Sequence, residues 1–420
     1  MTSHGREAES ATGKSAPANR GAPRRIVSGM RPTGGLHLGN YHGALKNWIT
    51  LQHEYECFFF VADWHALTTD YENPERVEDN MHEMIVDWLA AGLDPRAATF
   101  FVQSRIAEHA ELHLLLSMFT PLPWLERVPS YKDQQEKLKD KDLATYGFLG
   151  YPLLQSADIL MYKPAYVPVG EDQVVHVELT REVARRFNHL YGREDEFERH
   201  ARQSADRLGA RDRDTFLEVR RRYQEQGDGD AVAAGRSLIE THAELPVLDR
   251  ERLLGFLEGE SRSILREPEV LLTGTPRFPG LDGQKMSKSY GNTIAMREDP
   301  DTVARKLRTM QTDPARVRRS DPGEPEKCPV WDLHKIYSDQ ETRDWVQQGC
   351  RSAGIGCIEC KAPVTERIVA EVEGFRERAR EFEANPGRVR DILADGNRRA
   401  REVAQQTMDE VREAMRLDYA

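Results

Sequence analysis

Short apolar segments alternate with amphipathic stretches from residue 25 onward, and this alternation constrains the fold more than any other feature of the 420-residue chain. IVSGM (26–30), CFFFVAD (57–63) and ATFFVQS (98–104) read as buried strands. The stretches with helical spacing that follow them lie at 37–52, 74–91 and 110–119. Strands that alternate with helices predict an α/β fold with a doubly wound parallel sheet. Ligands of such sheets bind beyond the carboxyl ends of the strands.

Composition and spacing divide the chain into five regions. Residues 1–24 are rich in small, polar and proline residues and lack the apolar core of a signal peptide, so they are predicted to form a disordered tail. Residues 194–268 are dense in Arg, Asp and Glu but keep apolar residues at helical spacing, which indicates a charged helical insertion. The other predicted regions are the first part of the α/β domain at 25–193, a loop region of that domain at 269–298 and an all-helical C-terminal region at 299–420.

The charge balance excludes some classes of function. A formal net charge of -11 argues against general binding of polyanions, because non-specific affinity for nucleic acid requires an excess of Lys and Arg. Two short basic runs are exceptions, at 316–319 and 398–401. No segment reaches the roughly 18 apolar residues of a membrane span. Five cysteines without a signal sequence favour a reducing compartment, so a cytoplasmic protein without a membrane partner is predicted.

The stretch RPTGGLHLGNYHGAL, residues 31–45, lies between the first predicted strand and its helix. A glycine-rich turn at such a place lets backbone N–H groups and the positive end of the helix dipole approach a phosphate. His37 and Asn40 lie three residues apart, so on a helix they share a face and can both donate to one anion. The alternative for both residues is a helix-capping or core polar role.

A second glycine-containing loop, GLDGQKMSKSYGN, occupies residues 280–292. Lys285 and Lys288 are point charges on long stems, which suits them to neutralise phosphates as charge develops. The glycines would permit closure over a ligand. A lysine pair in a loop is by itself more often only solvated.

Together the two stretches resemble the HIGH and KMSKS signatures of class I aminoacyl-tRNA synthetases, and the second matches letter for letter. HLGN ends in Asn40, where the general signature has histidine, and this variant is similar to the tryptophan and tyrosine branch of the class. The resemblance implies a Rossmann-like catalytic domain followed by a C-terminal anticodon-binding domain. It assigns catalysis to His37, Asn40, Lys285 and Lys288, and ATP binding to Gly39, Gly170, Asp172, Met286, Ser287 and Ser289.

Residues 151–188 are similar almost throughout to the tryptophanyl-tRNA synthetase family. An indole N–H donates one hydrogen bond and accepts none, so a buried indole is best met by a fixed acceptor such as the carboxylate of Asp158. The alternative for Asp158 is a carboxylate at a helix start. The resemblance also makes Arg31, where relatives can carry glutamine, a candidate contact for ATP. It assigns the α-amino group of the substrate to Tyr151, Gln155 and Gln173, and a place near the substrate to His65.

The function that this resemblance implies is the activation of L-tryptophan. ATP with Mg²⁺ would yield tryptophanyl-adenylate and pyrophosphate, and the tryptophanyl group would then pass to tRNA(Trp). A homodimer is implied by the family alone. The alternatives are a tyrosyl-tRNA synthetase and a catalytically silent tRNA-binding paralogue. Another nucleotidylyltransferase would leave the C-terminal helices and cysteines unexplained.

Four of the five cysteines fall close together near the C-terminus, in the spacing C-x21-C-x6-C-x2-C. Four thiolates can close a tetrahedral zinc site or hold a 4Fe-4S cluster, and spacing alone does not decide between them. The arrangement resembles a subset of the family that carries a 4Fe-4S cluster beside the anticodon-binding surface, with Zn²⁺ as the alternative. The predicted ligands are Cys328, Cys350, Cys357 and Cys360. The nearby cations Lys327, Arg351 and Lys361 are candidate contacts for the anticodon.

Overall fold

The computed structural model describes residues 24–128, 145–226, 228–259, 261–272 and 278–419. The predicted tail lies outside the described residues, apart from residue 24. The described chain forms two compact units. Arg193–Ser263 is the smaller unit, and Arg24–Gly192 with Ile264–Ala420 is the larger one.

Within the described ranges, five parallel strands form one sheet in the order β3-β2-β1-β4-β5. The strands are β1 Arg25–Met30, β2 Glu56–Val61, β3 Ala98–Val102, β4 Tyr166–Val169 and β5 Glu269–Leu272. The chain adds strands on one side of β1 and then continues with β4 on its other side. The point at which the strand order reverses, where doubly wound sheets bind their ligands, therefore lies between β1 and β4. The predicted doubly wound fold is confirmed.

Helices cover both faces of this sheet. In the larger unit they are Leu38–Asn40, Lys46–Leu51, Asp63–Asp70, Glu75–Ala91, Glu108–Ser117, Leu122–Glu126, Tyr146–Leu160, Val174–Tyr191, Pro300–Thr309, Pro329–Tyr337, Gln340–Arg351, Cys357–Ala384 and Pro386–Ala414. A π-helical turn, Tyr41–Leu45, joins the first two. Among the described residues, no helix combines the length and the apolar character needed to cross a membrane.

Two hydrophobic cores lie on the two faces of the sheet. Successive residues of β2 alternate between them, since Phe59 belongs to one core and Phe58 and Phe60 to the other. The long helix Cys357–Ala384 contributes to the first core, and Pro386–Ala414 contributes to the second. The near-continuous apolar sequence of β2 follows from this burial on both faces.

The last helix, Pro386–Ala414, packs against the edge strand β3. A Cβ atom at Gly396 would lie 1.7 Å from the carbonyl oxygen of Phe100, so only glycine permits this approach. Asn397 Oδ1 accepts the backbone N–H of Val102 at 2.9 Å, and Arg399 donates to the carbonyl of Pro95 at 2.9 Å. The basic run at 398–401 therefore helps to cover a sheet edge that would otherwise be open to another strand.

The smaller unit consists of four helices with a core of their own. Phe216, Leu253, Phe256 and Leu257 are buried in it, as the helical spacing of the insertion predicts. The helices are Phe197–Asp206, Ala210–Gln226, Gly229–Thr241 and Val247–Glu258.

Candidate active site

A cavity of about 380 Å³ opens at the point where the strand order reverses. Its floor is formed by the carboxyl ends of β1 and β4, which diverge there. Seven residues that the sequence assigns to substrate or ATP line it: Arg31, His65, Tyr151, Gln155, Asp158, Gly170 and Gln173. The side chain of Asp172 lies outside those that the structure describes.

The carboxylate of Asp158 is completely buried at this cavity and accepts four hydrogen bonds. His65 Nε2 and His109 Nδ1 each lie 2.7 Å from one of its oxygens. Gln103 Nε2 donates to both oxygens, at 2.8 and 2.9 Å. Asp158 lies near the end of the helix Tyr146–Leu160, so the alternative of a carboxylate at a helix start is wrong.

These donors keep the carboxylate ionised. Burial is the largest influence and raises the pKa of Asp158, but the hydrogen bonds and charges of His109 and His65 outweigh it and hold the pKa well below its ordinary value. His109 is itself fixed by Tyr162, whose hydroxyl lies 2.7 Å from its Nε2. The sequence analysis missed Gln103 and His109, although a glutamine directly after a buried strand is a signal that could have indicated the first.

The opposite wall of the cavity comes from the segment that follows the HLGN turn. Gly43 and Ala44 lie in the π-helical turn and line the cavity, together with Asn47. The absence of large side chains at the first two positions leaves room for a flat ligand group. π-helical turns are rare and occur frequently at functional sites.

His37 and Asn40 cap the first helix reciprocally. His37 Nδ1 accepts the backbone N–H of Asn40 at 3.3 Å, and Asn40 Oδ1 accepts that of His37 at 3.1 Å. Both residues therefore take the capping role, and His37 Nε2 and Asn40 Nδ2 are the atoms left to donate to a ligand. Burial, and after it the charges of Lys288 and Lys285, lower the pKa of His37 to about 4, so its imidazole is neutral at pH 7.

The KMSKS loop lies directly on this turn. Lys288 Nζ donates to the carbonyl of Thr33 at 2.7 Å. Gly34 has φ +92, and a Cβ there would lie 3.4 Å from Lys288 Nζ. The structure thus brings together two segments that are about 250 residues apart in sequence.

Further contacts fix the register between loop and turn. Leu38 N donates to the carbonyl of Ile294 at 3.0 Å, and Met296 N donates to that of Leu36 at 2.8 Å. Asp87 accepts from Leu36 N at 2.5 Å and from Arg297 Nε at 2.6 Å, which ties the turn to the segment after the loop.

Asn292 holds the loop from within and was missed by the sequence analysis. Its Oδ1 accepts from Ser287 N at 2.8 Å, and its Nδ2 donates to Asp282 Oδ1 at 2.7 Å and to the carbonyl of Lys285 at 3.2 Å. Met286 is buried. Lys285, Lys288 and Ser289 are exposed. The loop therefore presents its charged side chains to solvent from a braced backbone.

The four late cysteines share one neighbourhood. Cys328 precedes the helix Pro329–Tyr337, Cys350 lies in Gln340–Arg351, and Cys357 and Cys360 lie in the first turn of the next helix. Burial, and after it the charges of the other three thiols, raise the pKa of Cys360 to about 12. Among the described residues, no group of three or more His, Cys, Asp or Glu side chains is arranged to hold a metal ion.

The prediction that Lys361 contacts an anticodon is wrong. Its side chain is buried, and Nζ donates to the carbonyls of Arg308 at 2.9 Å and Met310 at 2.6 Å, which end the helix Pro300–Thr309. Lys327 and Arg351 are exposed and pair with Glu324 and Glu326.

Comparison with known families places this site in context. The model of the tRNA synthetases class I (W and Y) matches residues 19–202 and 233–373. The chain therefore belongs to the class I tRNA synthetases of the tryptophan and tyrosine type. Residues 203–232 are not matched by this family model, and they lie within the smaller unit.

Within that class, the relatives place the chain among the tryptophanyl-tRNA synthetases. It is 64% identical to a tryptophan--tRNA ligase of Ralstonia nicotianae, across 95% of this chain and 100% of the relative. It is 42% identical to one of Thermotoga maritima, across 94% of this chain and 100% of the relative. Among solved structures, tryptophanyl-tRNA synthetase of Campylobacter jejuni complexed with ADP and tryptophan is similar with a TM-score of 0.69 and 28% identity, covering 93% of this chain and 99% of that one.

Proposed function

We infer that the protein activates L-tryptophan with ATP and transfers it to tRNA(Trp), as a tryptophan--tRNA ligase. The observation that carries this function is the cavity itself. It has a buried, ionised acceptor at Asp158, and the HLGN turn that leads into its wall is in contact with the KMSKS loop. A site that is built to accept a hydrogen bond from the substrate rejects analogues without the donor by about 10⁴ to 10⁵.

The indole N–H of tryptophan donates to Asp158 in this proposal. Both carboxylate oxygens already accept two hydrogen bonds each, so the indole replaces one of the present donors. His65 is the donor that yields, because it lines the cavity whereas Gln103 and His109 are completely buried. Tyr151, Gln155 and Gln173 line the same cavity and accept from the α-amino group.

In the first step a carboxylate oxygen of tryptophan attacks the α-phosphorus of ATP. The new C–O–P bond forms as the bond between the α-phosphorus and the bridging oxygen breaks, and that electron pair leaves with pyrophosphate. His37 and Asn40 donate to phosphate oxygens, and Lys285 and Lys288 neutralise the leaving group. Mg²⁺ bound to ATP would offset part of the charge of the triphosphate. Positioning and charge compensation suffice, because this displacement needs no covalent nucleophile on the enzyme.

The test is ATP–pyrophosphate exchange with each of the twenty amino acids, followed by aminoacylation of tRNA. Exchange that depends on tryptophan, with tyrosine at background, is the expected result. Exchange with tyrosine would make the chain a tyrosyl-tRNA synthetase. Exchange with neither amino acid, from a folded protein that still binds tRNA, would make it a silent paralogue.

We also propose that Cys328, Cys350, Cys357 and Cys360 hold a 4Fe-4S cluster, with Zn²⁺ as the alternative. The charges of Cys328, Cys350 and Cys357 raise the pKa of Cys360, which supports a shared site for the four thiols. Their spacing also resembles that of the family subset that carries a 4Fe-4S cluster. Four thiolates that lie close together repel one another strongly unless a metal ion neutralises their charge. Iron, sulfide and zinc contents of anaerobically purified protein test this proposal, and a protein with neither metal contradicts it.

A basic pocket beside Cys357 is proposed as a contact for tRNA. It is lined by Arg318, Arg319 and the exposed side chains of Val317 and Ile358. Cations beside apolar surface suit an unstacked nucleotide. Arg318→Ala is expected to raise KM for tRNA without an effect on ATP–pyrophosphate exchange.

A homodimer is proposed from an apolar patch on three neighbouring helices. Leu114, Met118, Leu122 and Tyr146 are each more than half exposed there, and exposed apolar patches mark interaction sites. Sedimentation at micromolar concentration tests this: Met118→Glu should dissociate a dimer, and a monomeric native protein contradicts it. The enzyme acts in the cytoplasm in this proposal, where its five free cysteines stay reduced.

A further inference from the structure

Arg31 stands directly after the central strand β1 and lines the cavity. Its Nη2 donates to Thr69 Oγ1 at 2.5 Å, which fixes the guanidinium against the helix Asp63–Asp70. Its Nε is buried and has no acceptor among the residues that the structure describes. A buried donor without a partner is costly, so a ligand acceptor that reached this N–H would be bound favourably.

Charge decides which kind of ligand fits. Among the described residues that line the cavity, Arg31 is the only Lys or Arg, and Asp158 is the only Asp or Glu. Burial lowers the pKa of Arg31, and the charges of Asp70 and Tyr151 offset this only in part. A substrate carboxylate in the same cavity as the Asp158 carboxylate needs a cation beside it, because an unpaired buried charge is strongly disfavoured.

The helix Asp63–Asp70 sets the distance between the two charges. His65 contacts Asp158, and Thr69 contacts Arg31. These two helix residues are four apart, so they lie on one face at a separation of about 6 Å along the axis. The indole nitrogen and the α-carboxylate lie at the two ends of tryptophan and span a comparable length.

We infer that Arg31 binds the α-carboxylate of tryptophan, and this inference rests on the proposed function. The guanidinium fork holds one carboxylate oxygen and leaves the other to attack the α-phosphorus. It therefore orients the nucleophile and compensates the substrate charge, whereas Lys285 and Lys288 serve the pyrophosphate that leaves. This assignment replaces the contact with ATP that the family pattern indicates for residue 31.

The experiment measures equilibrium binding of L-tryptophan, tryptamine and ATP by titration calorimetry. Tryptamine keeps the indole and the amine but lacks the carboxylate. Arg31→Met should weaken L-tryptophan binding by about 10- to 100-fold, the range for a lost charge-assisted hydrogen bond, and leave tryptamine and ATP within about twofold. Arg31→Lys should retain part of the affinity because it keeps the charge. Arg96→Met removes an exposed arginine elsewhere and is the matched control.

Each outcome decides the inference. Equal losses for tryptophan and tryptamine in Arg31→Met would overturn it in favour of a structural role, and a loss confined to ATP would overturn it in favour of phosphate binding. A variant that does not fold is recognised by the loss of its cooperative thermal unfolding transition, and Arg31→Lys then carries the comparison between tryptophan and tryptamine. Absence of tryptophan-dependent exchange in the wild-type protein would instead defeat the proposed function. Normal exchange with an unchanged tryptophan affinity in Arg31→Met defeats only this inference.

Discussion

Asp158 and Lys288 carry opposite charges of the same proposed active site, yet one is completely buried and the other is exposed. Asp158 is held by His65, His109 and Gln103, and its position is set before any substrate arrives. Lys288 makes one hydrogen bond, to a carbonyl oxygen, on a loop with left-handed glycines on both sides.

This contrast follows from what each charge has to do. Recognition of an indole requires an acceptor whose geometry does not adapt to other ligands, so rigidity supplies selectivity. Pyrophosphate changes its charge distribution as it leaves, so a mobile cation that can follow it is more useful there. The two sides of the site should therefore respond differently to mutation.

Asp158→Asn should produce the largest effect. It leaves His65 and His109 without their charged acceptor, and breaking such a buried pair costs about 3–5 kcal/mol of stability. Thermal unfolding and tryptophan-dependent exchange should both fall sharply. Asp332→Asn is the control, because the side chain of Asp332 is half-exposed and, within the part of the chain that the structure describes, pairs with Lys335 three residues on. A stable Asp158→Asn protein with normal affinity for tryptophan would contradict the proposal that the fixed carboxylate of Asp158 recognises the indole.

Lys288→Ala should reduce kcat by about 10²- to 10³-fold, as expected when a group that stabilises developing charge is removed. Its unfolding temperature should stay near that of the wild type, because the side chain is exposed. Pre-steady-state measurement of adenylate formation separates an effect on this chemical step from an effect on product release. Lys335→Ala, which removes an exposed lysine far along the sequence, should leave the rate unaltered.

Asn292→Ala tests whether the KMSKS loop needs the hydrogen bonds that Asn292 makes within it. Loss of the hydrogen bonds to Ser287 N and to Lys285 O should lower kcat by about tenfold through a less ordered loop. Binding of tryptophan should stay the same. A loss of tryptophan affinity as large as the loss of kcat would show that the KMSKS loop and the tryptophan pocket do not act separately.

The pH dependence of stability should reveal a smaller effect at His37. Its pKa is lowered from 6.5 to about 4 in the folded protein, so between these values the unfolded chain binds more protons and stability rises with pH. His37→Gln should remove this contribution, on the order of 1 kcal/mol after screening by solvent. Denaturation at pH 4.5 and pH 7 with both proteins measures the difference. A difference between the two proteins that is the same at both pH values would contradict the assignment.

Much of the fold could be predicted from the sequence because periodicity reports burial directly. The strands near 26–30, 57–63 and 98–104 and the helices after them were predicted from apolar spacing, and the structure confirms them. The all-helical C-terminal region that was predicted also contributes buried apolar faces, with Ile368 and Val372 in one core and Ala404 and Met408 in the other.

The active-site residues were found only where local sequence carries a signature. Glycine turns, a lysine pair and an acidic residue in an apolar run are local patterns, and they indicated His37, Lys288 and Asp158. His109 and Asn292 act through partners 49 and five residues away, and nothing in their own neighbourhood marks them. Lys361 was predicted to contact the anticodon because it lies near the cysteines in sequence, but its side chain is buried and two helix-terminal carbonyls compensate its charge in the interior.

The order of apolar and polar residues alone determined that this chain forms a parallel sheet wrapped by helices, and it indicated two stretches predicted to bind phosphate and a cluster of thiols. Only the tertiary structure decided that the lysine loop lies on the glycine turn, that Asp158 accepts four hydrogen bonds, and that the Nε of Arg31 is buried with no acceptor among the described residues. The physical reason is the difference in the sequence distance over which these effects act. Backbone preference and burial act on neighbouring residues, whereas compensation of charge depends on whichever groups folding brings within a few ångströms.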